Sequence, residues 1–300
     1  MKNIIKEIFR SFGMRTQKNV EPPLTDEQKI RKYIDGGRVP WSEGYIQYKI
    51  EFIKKVIHDE SVLKRFEKKE QLQQHAIGID DRSVEYPWIF SRLKREKTIL
   101  LDAGSTLNFP YIVNHDLVRE KELSILTFYP EKENFNKNRI SYVYADLRNM
   151  PFRDDWFDEV VCQSTIEHIG MDNSMYGYQN QSDNAGKEKD YSYLEAIREL
   201  VRVVKPGGQL LLTFPFGKYE YHGFFQQFDN EMYDRMVSIF NKKGSVCTDY
   251  FIYTPEGWNW AENDKASDCI SYNPHTGAGK GDDGAAHSRA ICCIQFIRNN

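Results

Sequence analysis

The segment LDAGSTLNFP, residues 101–110, places Asp102, Gly104, Ser105 and Thr106 directly behind the apolar run Thr98-Ile99-Leu100-Leu101. Open parallel sheets bind ligands where a strand ends in such a turn, and a glycine there lets a ligand approach the backbone. A dinucleotide asks for several glycines, so that backbone amides reach a pyrophosphate at a helix N-terminus. Here Gly104 is followed by Ser105, Thr106, Leu107 and Asn108, and the next glycine is Gly170. S-adenosylmethionine (SAM) has no phosphate, and its methionine end is a small zwitterion that one glycine and two hydroxyls suffice to hold. The spacing favours SAM over a dinucleotide, with a ligand-free strand-to-helix turn as the alternative. Other chemistries lack their residues: there is no G-x-S-x-G for a serine nucleophile and no His/Asp/Glu set at metal-ligand spacing, so no metal is expected. The string GAGKG, 277–281, fails the phosphate-loop pattern G-x-x-x-x-G-K-[ST] and reads as a flexible lid.

Strands and helices must position these residues. From about residue 96 strand-like and helical segments alternate, which predicts an α/β fold: a Rossmann-like, seven-stranded, mostly parallel sheet flanked by helices. The expected strands are Thr98 to Asp102, LSILTFY (123–129), ISYVYAD (140–146), FDEVVCQS (157–164), QLLLTFPF, TDYFIYT and RAICCIQFI. A helix is expected from Phe109 to Glu120. Another is capped by the Ser192-x-x-Glu195 box and stopped by Lys205-Pro206-Gly207-Gly208, and a third covers NEMYDRMVSIFNKKG. Residues 1–95 read as a helical N-terminal extension, and 96–300 as the catalytic domain. Within the extension, VEPPLTDEQ is a turn or linker, Ser42 is a candidate N-cap, and Pro87 sits in the first turn of a short helix.

Three segments, LLDAGS, ADLRNMPFRDDWFDEVVCQSTIEHIG and ELVRVVKPGGQLLLTFPFG, resemble in order and spacing the class I SAM-dependent methyltransferases, in the branch with a D-x-x-x-x-P-F turn and a Glu-His pair. The strings PWSEGY, EYPWIF and STIEHIGMDN are also similar to bacterial methyltransferases associated with surface-polysaccharide genes. The resemblance implies SAM as cofactor, with Asp102, Gly104 and Ser105 at its methionine end. It also implies Asp146 and Leu147 at the adenine, Ser164 and Thr165 at the sulfonium, and Glu167 and His168 at the mouth. As the alternative, Asp146 is a turn or helix-cap aspartate. The family's second strand usually ends in an acid that grips the ribose; here it ends LTFYPEKE, so either Glu131 reaches back or the ribose is held otherwise. Methyl transfer from a sulfonium needs alignment and, for a hydroxyl acceptor, a base. Imidazole titrates near neutral pH, which makes His168 the first candidate. His222 and His287 are alternatives, and a purely structural His168 paired with Glu167 is the competing reading.

The expected acceptor is a small molecule or glycan, since the stretches 170–190, 215–228 and 254–287 mix aromatics with amides and carboxylates. A net charge of -3 carries no nucleic-acid footprint, and five cysteines without a C-x-x-C read as reduced thiols in a cytoplasmic protein. No apolar stretch approaches membrane-span length. Residues 1–13, MKNIIKEIFRSFG, are amphipathic, either packing on the domain or making a peripheral membrane contact. The oligomeric state stays open. Two rivals differ in class. One is a binding or scaffold protein with a decayed methyltransferase domain; the other is a nicotinamide-dependent oxidoreductase, opposed by the absent G-x-G-x-x-G.

Overall fold

The computed structural model describes residues 22–131, 133–174 and 188–300; the segment 1–13 and most of the Tyr/Asn-rich stretch after Gly170 lie outside them. Four helices come first: α1 (Asp26–Asp35), α2 (Tyr45–His58), α3 (Glu60–Lys68) and α4 (Arg82–Phe90). α1 starts inside the stretch expected to be a linker. The Thr25 hydroxyl accepts from Gln28 N (3.3 Å) and Gln28 Oε1 accepts from Thr25 N (2.9 Å), a reciprocal cap. α2 begins beyond Ser42: Gly44, at φ 91°, turns the chain into it with no side-chain cap. α4 starts earlier than expected and takes Pro87 into its interior. Proline has no N–H for the carbonyl four residues back; His75 Nε2 donates to that Ser83 carbonyl instead, at 2.9 Å.

The sheet elements follow: β1 (Ile99–Ala103), α5 (Pro110–Val113), α6 (Asp116–Arg119), β2 (Glu122–Thr127), β3 (Ser141–Tyr144), β4 (Phe157–Gln163), α7 (Tyr193–Val203) and β5 (Val204–Pro215). Then come the two-residue strands β6 (Glu220–Tyr221) and β7 (Gln226–Gln227), α8 (Asn230–Phe240), β8 (Gly244–Thr254), β9 (Gly257–Ala261), α9 (Asn263–Ala266) and β10 (Ala290–Arg298). The main sheet has eight strands in the order β3-β2-β1-β4-β5-β10-β8-β9. β3, β2, β1, β4 and β5 run parallel, while β10 is antiparallel to both of its neighbours. The expected seven strands are thus corrected to eight. β9 lies in the stretch read as a loop and folds back on β8, with Thr254 opposite Gly257 at φ 99°. The single helix expected over 109–120 is two short ones, because the chain turns at Asn114 and the His115 ring caps α6, Nδ1 accepting from Leu117 N (3.1 Å). The Ser192–Glu195 box does not form. Asp190 takes its place, its carboxylate accepting from the Ser192 hydroxyl and from Ser192 N (2.7 Å).

Both faces of the sheet are covered. Strand side chains alternate, so Leu100 and Leu101 enter different cores, as do Cys293 and Cys292. Helices α7 and α8 cover one face through Ile197, Leu200 and Met236. α2, α3 and α4 cover the other through Ile57, Phe66 and Trp88, which pack in the same cluster as Leu100, Ile125, Val161 and Ile291. The short α5 and α6 leave that face open, and the N-terminal helices fill it.

At the amino end of β4, Glu159 is buried and accepts from Lys121 Nζ (2.5 Å), Thr98 Oγ1 (2.5 Å), Lys94 N (2.8 Å) and Gln209 Nε2 (2.9 Å). Removing one partner of a buried pair strands the other charge. Lys121→Met is expected to cost about 3–5 kcal/mol in denaturant unfolding; a loss within experimental error would show that the pair contributes nothing.

Candidate active site

The strand order reverses between β1, whose next strand β2 lies on one side, and β4 on the other. A crevice opens outside the carboxyl ends of strands at such a point. A cavity of about 370 Å³ lies there, lined from β1 by Gly104 and Thr106, from β2 by Leu126 to Glu131, from β3 by Ala145 to Arg148, and from β4 by Ser164, Thr165, His168, Ile169, Gly170 and Asn173. Of the residues singled out from sequence, it brings together Gly104, Glu131, Asp146, Leu147, Ser164, Thr165 and His168. Asp102, Ser105 and Glu167 stand behind its wall, and His222 and His287 lie outside its lining.

Asp102 explains how a loop with one glycine turns. Its fully buried carboxylate accepts from Leu107 N (2.7 Å), Thr106 N (3.1 Å) and Thr106 Oγ1 (3.3 Å), which ties the loop to its own strand. Burial pushes its pKa up to about 7, against those hydrogen bonds. The carboxylate thus holds the loop and lies outside the cavity lining. Gly104 and Ser105 turn the chain at φ 132° and 61°. Ser105 Oγ is buried without a hydrogen-bond partner. Two of the amides a pyrophosphate would need are spent on Asp102, which argues against a dinucleotide. In the GAGKG stretch, the Gly279 carbonyl accepts from Arg289 Nη1 (2.9 Å) and the Ala278 carbonyl from Asn273 N (2.8 Å).

Glu131 folds against the first loop and lines the cavity. Its Oε2 accepts from Asn108 Nδ2 (2.9 Å), and Asn108 Oδ1 accepts from the Tyr142 hydroxyl (2.8 Å). A tyrosine of β3 and an asparagine of the first loop thus deliver a carboxylate to the end of β2. At the end of β3, Asp146 lines the cavity and closes a turn on Arg148. Its oxygens accept from Arg148 N (2.8 Å), Nε (3.0 Å) and Nη2 (2.6 Å). Burial acts to raise the Asp146 pKa, but Arg148 outweighs it and holds the group below the usual carboxylate range.

After β4, Ser164 adopts φ 38° and Thr165 Oγ1 donates to the Gln163 carbonyl (2.9 Å). His168 follows in a short 3-10 turn, Ile166–His168. Its Nδ1 lies 2.7 Å from the Phe224 carbonyl and must donate to it, which makes Nε2 the basic nitrogen of the neutral ring. Burial lowers the His168 pKa to about 4, so the ring is neutral at physiological pH. Glu167 Oε1 is 4.0 Å from Nε2, while Oε2 is buried with no hydrogen-bond partner. Burial pushes this carboxyl well above its usual range. Sequence reasoning missed Arg82, a cation that lines the cavity from α4 and donates to Glu85 (2.7 Å). It lies outside all three resembling segments and reaches the site only because α4 packs over the strand ends.

Residues 125–212 match the family model described as a methyltransferase domain. That span runs from β2 into β5 and includes Glu131, Asp146, Ser164, Thr165 and His168; the methyl donor of such a domain is SAM. No curated protein matches the chain. Among solved structures, the Burkholderia thailandensis 1,6-didemethyltoxoflavin-N1-methyltransferase with bound S-adenosylhomocysteine is similar at 10% identity, over 94% of each chain, with a TM-score of 0.41. The YcgJ protein of Bacillus subtilis is similar at 14% identity, over 69% of this chain and 94% of that one (TM-score 0.40). The N-methyltransferase NodS of Bradyrhizobium japonicum with S-adenosylhomocysteine is similar at 11% identity, over 83% and 98% (TM-score 0.37).

Proposed function

We propose that this SAM-dependent methyltransferase transfers the methyl group to a hydroxyl oxygen of a small-molecule or glycan acceptor, in surface polysaccharide biosynthesis. The observation that carries the reading is the convergence of Glu131, Asp146, Thr165 and His168 on one cavity at the ends of β1 to β4. Its volume falls in the range of small-ligand sites.

The residues present fit the donor. Glu131, held by Asn108, would accept from the ribose hydroxyls. Asp146 and Leu147 would take the adenine, with Asp146 sharing its oxygens between Arg148 and the exocyclic amine. Gly104, Ser164 and Thr165 would face the methionine end and the sulfonium, and the orphaned Ser105 hydroxyl lies in the same turn. When bound, SAM supplies an electrophilic methyl group whose thioether leaves without an acid.

His168 works on the acceptor side. Its Nδ1–H is anchored on Phe224, so Nε2 would take the hydroxyl proton as the oxygen attacks. The Phe224 ring is stacked on His168 at 5.9 Å, setting an aromatic surface beside the base. An aromatic face next to polar groups suits a sugar, whose apolar faces stack while its hydroxyls hydrogen-bond. The similarity of PWSEGY, EYPWIF and STIEHIGMDN to polysaccharide-associated methyltransferases supports the same acceptor class.

Incubating the purified chain with SAM and a panel of mono- and oligosaccharides tests the reading. The expected result is S-adenosylhomocysteine formation together with a sugar that gains one methyl group by mass spectrometry. Turnover on amines with none on hydroxylated acceptors would overturn O-transfer.

A further inference from the structure

Glu85 stands outside the matched span of residues 125–212 and has no exposed surface. Four side chains from three elements donate to its carboxylate. Arg82 Nη1, on its own helix α4, reaches Oε2 at 2.7 Å, and Gln163 Nε2, at the end of β4, reaches it at 3.2 Å. Ser164 Oγ and Thr213 Oγ1 of β5 both reach Oε1 at 2.5 Å. Two of these donors, Arg82 and Ser164, line the cavity. One buried carboxylate therefore ties α4 to the carboxyl ends of β4 and β5 and holds two parts of the cavity wall.

Ser164 needs that support. Its backbone sits at φ 38°, a strained region that non-glycine residues keep only where their surroundings hold them. Ser164 N donates to the Thr213 carbonyl (2.9 Å), and Glu85 secures both side-chain hydroxyls of that pair. For Arg82, burial acts to lower the pKa, but Glu85 and Asp81 raise it above its ordinary value, keeping a permanent cation on the cavity wall.

We propose that Glu85 is a positioning residue for the donor site: by holding Ser164 and Arg82 it makes SAM binding depend on the helix upstream of the sheet. This rests on the donor reading above. Glu85 acts through those two side chains and does not itself line the cavity.

The test is S-adenosylhomocysteine calorimetry on the full chain, at a temperature where thermal unfolding shows each variant folded. Glu85→Gln removes the charge and turns an amide donor toward hydroxyls and a guanidinium. Its dissociation constant is expected to rise roughly tenfold or more, the scale of a lost charge-assisted hydrogen bond. Ser164→Ala is expected to weaken binding too, and the double variant to be no weaker than the worse single one, since both break one network. A merely structural Glu85 would lower the melting temperature and leave the dissociation constant of the folded protein alone. Wild-type affinity in folded Glu85→Gln, or losses that add, overturns the proposal. Should Glu85→Gln not fold, Glu85→Asp retracts the carboxylate by one methylene and keeps its charge; wild-type affinity there overturns it equally. Failure of the unmodified chain to bind S-adenosylhomocysteine would sink the donor reading itself, which a loss confined to the variants leaves standing.

Discussion

Gly104→Ala is expected to weaken S-adenosylhomocysteine binding by roughly a hundredfold and to lower the melting temperature. Gly104 sits at φ 132°, where an L side chain is strained. A β-carbon there would also overlap the hydroxyl and methyl of Thr165. Thr165 has little room to yield, because its hydroxyl is bound to the Gln163 carbonyl at 2.9 Å. Either the first loop or the turn after β4 must move, and both line the cavity. Overpacking and backbone strain each cost about 1–3 kcal/mol, enough together for the affinity loss above. Combining Gly104→Ala with Thr165→Gly relieves the overlap but not the strain, so partial recovery is expected. Calorimetry that finds wild-type affinity in Gly104→Ala would mean that this turn does not shape the donor site.

His168→Ala is expected to lower kcat by about 10²–10⁴-fold, the usual contribution of a positioned base, with S-adenosylhomocysteine affinity little changed. His168→Gln keeps an amide that can donate to the Phe224 carbonyl, so it separates loss of the base from loss of the anchor; the same fall in kcat is expected. The pH profile gives a second readout. The ring must be neutral to accept a proton, and burial lowers its pKa to about 4. Its contribution to kcat/KM is therefore complete above that value and lost as pH falls through it. The acid limb assigned to His168 lies near pH 4, well below the ~6.5 of an unperturbed imidazole. Full turnover by His168→Ala with saturating acceptor would remove the base role.

Legibility in the sequence tracked how local the cause was. The β1 to β5 strands were readable because apolar runs of strand length alternate with helical patterns there. Cys292 and Cys293 were readable as facing opposite ways because strand side chains alternate. What failed locally had a competitor at hand. Asp190 outbids Glu195 for the start of α7, and His75 supplies the donor that lets α4 run through Pro87. β9 was missed because its alternation of Trp258, Asn259 and Trp260 is short and sits in a long stretch with loop-like composition. Among the described residues no helix is long and apolar enough to cross a membrane.

By itself the sequence determined the α/β sheet, the strand ends at which the cavity opens, and a first loop too poor in glycine for a pyrophosphate. These follow from periodicity and from the backbone freedom of single residues, which act over a few positions. Only the tertiary structure decided which side chains face the cavity. Asp102 turns inward to hold its loop, Asn108 and Tyr142 bring Glu131 back to the end of β2, and α4 carries Arg82 and Glu85 over the strand ends. Each of these depends on a contact between segments far apart in the chain. Glu85 and Ser164, for instance, are 79 residues apart, and residue type and local spacing carry no record of such a contact.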